Sequence, residues 1–382
     1  MRDVYIAGHG MTSFGKHLDR SLGDLAQEAL ASALRDAALD SETIEYVYFA
    51  NAAAGLITGQ EMIRGQVALK DAKLRDATVI DVESACSSGG SAAHLAWLTV
   101  ASGQADTAVA LGCEKLIHQD KAVSYAAIEA GTDLTMSGSL PSADGSVMMG
   151  AYAQECRDYA DKFGPVEDAL AAIAVKNRTH AAANPRAHFR SPISTSDVFA
   201  SRPVADPLRL LTCSPFSDGA AAMIFTSARP ASDRPTRVLA SVLRSYEASS
   251  SVVSRAAAAG YERAGIGPAD IDVFQLHDAC AFAELVQYEQ AGITEPGGGI
   301  HAVLSGQVGL GGRSPVNTDG GLLSRGHALG ATGVAMLIEL AEQLEGRSGE
   351  RQVQGASRAM ALNAGGWMGD DYATTAVTVL GT

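Results

Sequence analysis

Cys86 lies in the run DVESACSSGGSAAHLAW, where an apolar strand breaks into a small-residue turn and then into an Ala-rich helix. That setting places the thiol near a helix N-terminus. Unpaired backbone N–H groups and the helix dipole are expected to lower its pKa there. The Ser and Gly residues that follow admit a substrate close to the backbone. An isolated cysteine is ordinarily a buried structural residue; the turn is what marks Cys86 as a nucleophile. His327 sits in NTDGGLLSRGHALGATG, flanked by glycines, and also opens a helix. A histidine at a helix N-terminus tends to stay neutral, because the dipole disfavours imidazolium. It suits a base for a thiol, or an N–H donor to a developing oxyanion. His277 closes an apolar strand in VFQLHDACAFAEL. Strand ends adjoining helix starts are where α/β folds cluster their sites. Cys113, in ALGCEKL, ends an apolar strand and reads as core; Cys156 and Cys213 have no reactive context. No metal-ligand spacing such as HxxxH appears, so no metal is expected.

The elements that must position these residues alternate. Apolar runs at Val4–Ala7, Tyr46–Ala50, Thr78–Val82 and Thr107–Leu111 predict buried strands. Ser21–Ala38 predicts a helix, with Ser21 as N-cap, Asp24 three residues on, and an apolar stripe of Leu22, Leu25, Ala29 and Ala33. Such alternation implies an α/β layered fold. An internal repeat organises it. Ala33–Ala52 lies over Gly260–Ala279 without a gap, one copy ending in Asn51 and the other in His277-Asp278. The Cys86 turn leads into an Ala-rich helix (Ala92–Ala101), and the His327 turn leads into another (Val334–Leu344). A duplicated fold follows, with halves of roughly 1–235 and 236–382. Between the strand-bearing parts, Lys115 to Pro207 (about 115–207) reads as an insertion with helices of its own, such as Pro165–Asn177. From Lys176 to Arg209 it carries Lys176, Arg178, Arg186, Arg190, Arg202 and Arg209 against Asp197 and Asp206. Such a stretch is either a solvated face or an anion-binding surface.

Composition sets the bounds. A chain of 382 residues suits two fused domains. It is 47% hydrophobic yet 5% aromatic with 40 Gly, so small residues must pack helices tightly on sheets. The net charge of −14 argues against a nucleic-acid partner. No apolar run approaches the ~20 residues of a membrane span. The N-terminus shows no signal-peptide pattern, and five cysteines without CxxC read as reduced thiols of a cytoplasmic protein.

ESACSSGGSAA, QLHDACAFAEL and GGLLSRGHALGATG, in that order, resemble the three main motifs of the thiolase superfamily. KNRTHAAANPRAHF followed by LTCSPFSDGAAAMIF is closer still to the sterol-carrier-protein type of thiolase and its bacterial lipid-transfer-like relatives. The resemblance spans nearly the whole chain. It implies the thiolase fold, five layers αβαβα from two similar halves with an inserted loop domain, acting on acyl-CoA as a homodimer. No cofactor is implied beyond the CoA thioester as substrate. Residue by residue, it makes Cys86 the acyl-accepting nucleophile and His327 the histidine that activates it. His277 holds the first position of the motif that reads HDCF in sterol-carrier thiolases, and helps hold the second acyl group's oxyanion. Asn363-Ala364-Gly365 stands where thiolases have CxG, so the Gly365 N–H is expected to join the Cys86 N–H in an oxyanion hole. The motif's cysteine is absent. The substitute cysteine of HDCF falls at Ala279, with Cys280 one residue later, a slip that usually turns a side chain to another face. The expected activity is transfer of an acyl group from Cys86 to a carbon nucleophile. Alternatives are a degradative 3-ketoacyl-CoA thiolase and a non-catalytic scaffold subunit. Retention of Cys86 with His327 argues against the family's retro-aldolases. Many bacterial relatives work with a small OB-fold, zinc-ribbon protein that binds acyl-CoA, so such a partner is expected. CoA itself is expected along the basic stretch, at Lys176, Arg178 and Arg190.

Overall fold

The structure is a computed structural model that describes residues 1–135 and 146–382. The strands in chain order are β1 (Tyr5–Met11), β2 (Tyr46–Ala50), β3 (Thr78–Val82), β4 (Thr107–Glu114), β5 (Pro203–Ala205), β6 (Leu208–Arg209), β7 (Gly219–Thr226), β8 (Arg237–Ser245), β9 (Val273–Gln275), β10 (Arg358–Met368) and β11 (Asp371–Gly381). Nine of them hydrogen-bond in the order β3-β2-β4-β7-β1-β8-β11-β10-β9, while β5 and β6 form a separate ribbon.

That order contains the repeat. From its outer edge the first half runs β3-β2-β4-β7-β1; the second runs β9-β10-β11-β8, with an isolated parallel bridge from Val316 to Phe274 where a counterpart of β3 would pair. The halves meet where Tyr5 of β1 opposes Arg237 of β8. The ungapped alignment of Ala33–Ala52 on Gly260–Ala279 carries into the fold. The short 3-10 turn Ser41–Thr43 falls on Pro268–Asp270, and the helices before them, Leu22–Ala37 and Val252–Ala264, end at equivalent positions.

Five layers result. The Leu22–Ala37 helix covers the outer face of the first sheet half, and Val252–Ala264 covers that of the second. Between them the Ser88–Ser102 and Leu329–Glu345 helices pack on each other and on strands of both halves. The first helix starts as the sequence predicts: Ser21 Oγ accepts from the Asp24 N–H at 3.1 Å, and the Asp24 carboxylate accepts from the Ser21 N–H at 2.8 Å.

Glycine makes the central layer possible. A Cβ added to Gly112 of β4 would sit 2.1 Å from the Gly330 carbonyl oxygen. One on Gly333 would sit 2.2 Å from the Gly90 nitrogen, and one on Gly89 would sit 2.8 Å from the Gly330 oxygen. The two central helices therefore meet backbone to backbone at their N-terminal ends. Two sequence expectations need correction. Thr78–Val82 is an edge strand rather than a buried one, with Thr78 and Ile80 exposed, because nothing pairs beyond it among the described residues. The helix expected at Pro165–Asn177 runs Glu167–Ala182. The expected insertion includes residues 136–145, which lie outside the described residues.

Candidate active site

Both reactive turns follow a residue of left-handed backbone. Ala85, at φ +48°, precedes Cys86, and Gly326, at φ +112°, precedes His327. For Ala85 the conformation is strained, worth about 1–3 kcal/mol. Serines brace it: the Ser84 N–H donates to Ser88 Oγ at 2.8 Å, Ser87 Oγ to the Ser84 carbonyl at 2.7 Å, and Ser88 Oγ to the Ala85 carbonyl at 2.7 Å. The small polar residues after Cys86 are thus what hold its turn.

His327 is held from both sides by buried carboxylates. Upstream, Asp278 accepts from the Leu322 and Leu323 N–H groups at 2.7 and 3.1 Å. Downstream, Glu114 at the end of β4 accepts from the Gly330 N–H at 3.0 Å, the Asn51 amide at 2.8 Å, and the Ala52 and Ala53 N–H groups. Burial pushes the Glu114 carboxyl up to about 7, and those N–H donors oppose the rise. Asn51 and Asp278 occupy equivalent places in the repeat. One serves Glu114 and the other acts directly.

These turns bring Cys86 Sγ and a ring nitrogen of each of His277 and His327 within 4.8 Å of one another, all three residues buried. The histidine rings meet edge to face, centroids 5.2 Å apart. Hydrogen bonds set their tautomers. Thr332 Oγ1 donates its one proton to the Ala328 carbonyl at 3.0 Å, so at 2.8 Å from His327 Nδ1 it accepts. The His327 proton is therefore on Nδ1, and Nε2 keeps a buried lone pair that has no partner among the described residues. Asn363 Oδ1 accepts from the Gly90 N–H at 3.1 Å, which orients the amide. Its Nδ2 then donates to the Cys86 carbonyl at 3.1 Å and approaches His277 Nδ1 at 3.3 Å. His277 thus carries its proton on Nε2. Where the CxG cysteine is missing, Asn363 ties the nucleophile turn to His277.

The expectation of a lowered thiol pKa is overturned. Burial pushes the Cys86 thiol up to about 12, the N–H groups of Gly366 and of Cys86 itself pull it down, and the nearby Glu114 carboxylate pushes it further up. Removal from water outweighs the helix terminus. Burial likewise pushes His277 down to about 3 and His327 well below its ordinary value, so both rings are neutral. The resting site is an uncharged thiol beside an uncharged imidazole.

Cys86 and His327 line a cavity of about 350 Å³ with apolar walls that include Leu56, Tyr125, Ile128, Met148, Met149 and Phe216. Arg64 and Arg202 also line it, as do Glu61 and Glu83 with exposed side chains. Ala279 lines the cavity but Cys280 does not. Cys280 Sγ turns away to cap the Ala281–Gln290 helix, accepting from the Ala283 N–H at 3.4 Å. Cys213, given no role from the sequence, does line it. Gly365 packs its Cα against the backbone of Cys86 and Ser87, where a Cβ would sit 2.2 Å from the Ser87 nitrogen. The N–H of the neighbouring Gly366, at φ +67°, faces the Cys86 thiol.

The basic stretch does not form a phosphate-facing row. Lys176 is buried against Glu284 at 2.8 Å. Arg178 is buried, with Nε donating to Ser324 Oγ and its guanidinium 4.8 Å from the Phe189 ring. Arg186 pairs with Glu342 at 2.6 Å. These cations tie the insertion to the second half, whose acidic partners lie over a hundred residues away. Arg190 is exposed, with Nη2 donating to the Ala182 carbonyl at 3.3 Å. Glu114, Thr332 and Gly366 escaped sequence reasoning. The one local signal was Glu114, a charged residue closing a buried apolar strand. Among the described residues no helix is long and apolar enough to cross a membrane.

Two family models match the chain in tandem: "Thiolase, N-terminal domain" over residues 4–229 and "Thiolase C-terminal domain-like" over 240–382. The benzoylsuccinyl-CoA thiolase subunit BbsB of Thauera aromatica is 36% identical, covering 94% of this chain and 93% of its own. Acetyl-CoA acetyltransferase of Methanothermobacter thermautotrophicus is also 36% identical, covering 96% and 97%. Bovine sterol carrier protein 2 is 33% identical over 95% of this chain and 70% of its own. Of solved structures, the "Ltp2-ChsH2(DUF35) aldolase" matches with TM-score 0.81 and 23% identity over 100% of this chain and 98% of its own. Human mitochondrial 3-ketoacyl-CoA thiolase matches with TM-score 0.72 and 16% identity over 100% and 99%.

Proposed function

The chain belongs to the thiolase family, whose relatives here include acyl-CoA acyltransferases, and from that premise we propose that it carries an acyl group on Cys86 and passes it to a carbon nucleophile. The observation that carries this reading is the convergence of Cys86 Sγ with ring nitrogens of His277 and His327 within 4.8 Å at an apolar cavity, His327 Nε2 being unpartnered.

In the first half-reaction Cys86 Sγ attacks the thioester carbonyl of an acyl-CoA while its proton passes to His327 Nε2. The N–H groups of Gly366 and Cys86, which both act on the thiol, serve the oxyanion that forms beside it. Collapse expels CoA, which recovers the proton from His327 and leaves acyl-Cys86. In the second, a carbanion alpha to an acceptor thioester attacks the acyl carbon, with its enolate oxygen receiving a hydrogen bond from His277 Nε2–H. Cys86 leaves and regains a proton, so the proton lost from the acceptor carbon balances the one gained by sulfur. Degradative cleavage of a 3-ketoacyl-CoA is the same sequence reversed. The acyl group lies among the apolar walls, and the CoA approaches past Arg202, the one cavity-lining member of the basic stretch. The exposed edge of β3 supports the homodimer, because an unpaired strand edge is a ready template for pairing. The likeness to an aldolase that carries a DUF35 component supports a small acyl-CoA-binding partner.

The test is intact mass after incubation with an acyl-CoA. The expected result is a single acyl adduct on the Cys86 peptide, absent from Cys86→Ala, which keeps its fold because alanine fits the small-residue turn. No adduct, or an undiminished one in Cys86→Ala, overturns the assignment. Free CoA release with and without a 3-ketoacyl-CoA separates the synthetic from the degradative direction.

A further inference from the structure

We propose that Cys86, His277 and His327 also form a binding site for a borderline-soft divalent cation of the zinc type, whose occupation stops acyl transfer. One sulfur and two imidazole nitrogens are the donor set such ions select over hard, oxygen-seeking ones. The three donors already lie within 4.8 Å of one another. A tetrahedral zinc, with bonds of about 2.3 Å to sulfur and 2.0–2.1 Å to nitrogen, needs its donors about 3.3–3.6 Å apart. The side chains must close by roughly 1 Å.

Further observations point the same way. His327 Nε2 is a buried lone pair without a hydrogen bond, which is costly in a folded protein and which a cation would satisfy. The other ring nitrogen of His327 donates to Thr332 Oγ1 at 2.8 Å, the second hydrogen bond that metal-binding histidines characteristically make. His277 brings a ring nitrogen to the same cluster, and the one hydrogen bond to its ring among the described residues is the 3.3 Å contact from Asn363 Nδ2 to Nδ1. Cys86 and His327 also line the cavity, so the ion has an entry path and its fourth position opens toward substrate.

Such a site is invisible to spacing rules, because its ligands come from residues 86, 277 and 327. It differs from a catalytic metal centre in its consequence. Binding displaces the Cys86 thiol proton to solvent, and the ion then takes the sulfur electron pair that must attack the thioester and the nitrogen lone pair that must accept the proton. Occupied enzyme is therefore silent, and removing the ion restores it.

The experiment titrates chelator-stripped protein with cobalt(II) and follows its absorption. One equivalent should produce tetrahedral d–d bands and a sulfur-to-cobalt charge-transfer band, both erased when zinc is added. Cys86→Ser should abolish the charge-transfer band, and His277→Ala should weaken binding at least tenfold. Cys213→Ala and Cys280→Ala should leave the spectrum unchanged, which separates this site from the chain's other thiols. Zinc should suppress acyl-Cys86 formation, and a chelator should restore it. Absence of the bands, or an unchanged charge-transfer band in Cys86→Ser, overturns the proposal. The metal site itself stands or falls independently of acyl transfer, whereas its inhibitory effect rests on the acyl-transfer reading. Bands without any acyl adduct would leave the metal site standing while the functional reading fails, and an adduct without bands would do the reverse.

Discussion

The Cys86 turn and the His327 turn are two copies of one device, and they are held in opposite ways. Each follows a residue of positive φ and leads into a helix of the central layer. The cysteine turn puts that conformation on an alanine and braces the strain locally, with Ser84, Ser87 and Ser88 bonding within the turn. The histidine turn puts it on a glycine and is held from outside, by Asp278 on one flank and Glu114 on the other. A nucleophile turn braced chiefly by its own neighbours, with Asn363 added from β10, takes most of its shape from local sequence. A histidine turn anchored by distant carboxylates places its ring only in the finished fold. The base is therefore aligned to the thiol by the docking of the two halves.

The largest effect expected from breaking this pair is chemical. His327→Ala should slow acyl-Cys86 formation by about 10²–10⁴-fold, the usual worth of a positioned base, in single-turnover assays. His277→Ala should keep the adduct and lose its transfer onward. Adduct formation lost equally in both variants would mean that the histidines do not divide the labour.

Stability should separate the turns next. Gly326→Ala adds a Cβ 2.5 Å from Ser217 Oγ at φ +112°, and should destabilise by about 2 kcal/mol or more in denaturant unfolding. Ala85→Gly relieves strain while loosening the unfolded chain, and should change stability by less than about 1 kcal/mol. Equal losses would erase the distinction between a strained turn and an unstrained one.

A finer probe is Thr332→Val, which removes the acceptor that keeps the His327 proton on Nδ1. Losing one such bond, about 1.4 kcal/mol, should slow acylation about tenfold with little change in apparent KM. The smallest effect belongs to Cys280→Ala. Its sulfur caps a helix outside the cavity, so acylation should stay within about twofold of the parent. A Cys280→Ala enzyme as inactive as Cys86→Ala would move the proton-transfer group to that position.

Much of this was readable from residue order. Cys86 and His327 stood out because reactive side chains sat among small residues at strand-to-helix turns. The ungapped repeat placed strand and turn boundaries in both halves. What could not be read was anything that depends on who faces whom. Glu114 reaches the Gly330 N–H across 216 residues, and no local pattern reports that. The run from Lys176 to Arg209 looked like an anion surface because its charge was visible and its partners Glu284 and Glu342 were not. The thiol pKa went the wrong way because a helix terminus is local, whereas the burial that outweighs it is a property of the assembled core.

The glycine contact between the central helices decides how this molecule can move. At the N-terminal ends of these helices Gly89, Gly90, Gly330 and Gly333 set backbone against backbone, with no rotamers to trade at those positions. Two bodies joined that way behave as a weld, not a hinge. Breathing that admits or releases a bulky thioester therefore falls to the inserted segment, which supplies Tyr125, Met148 and Arg202 to the cavity. Amide protons along the seam should be among the last to exchange, and those around Tyr125 and Arg202 at the cavity mouth among the first.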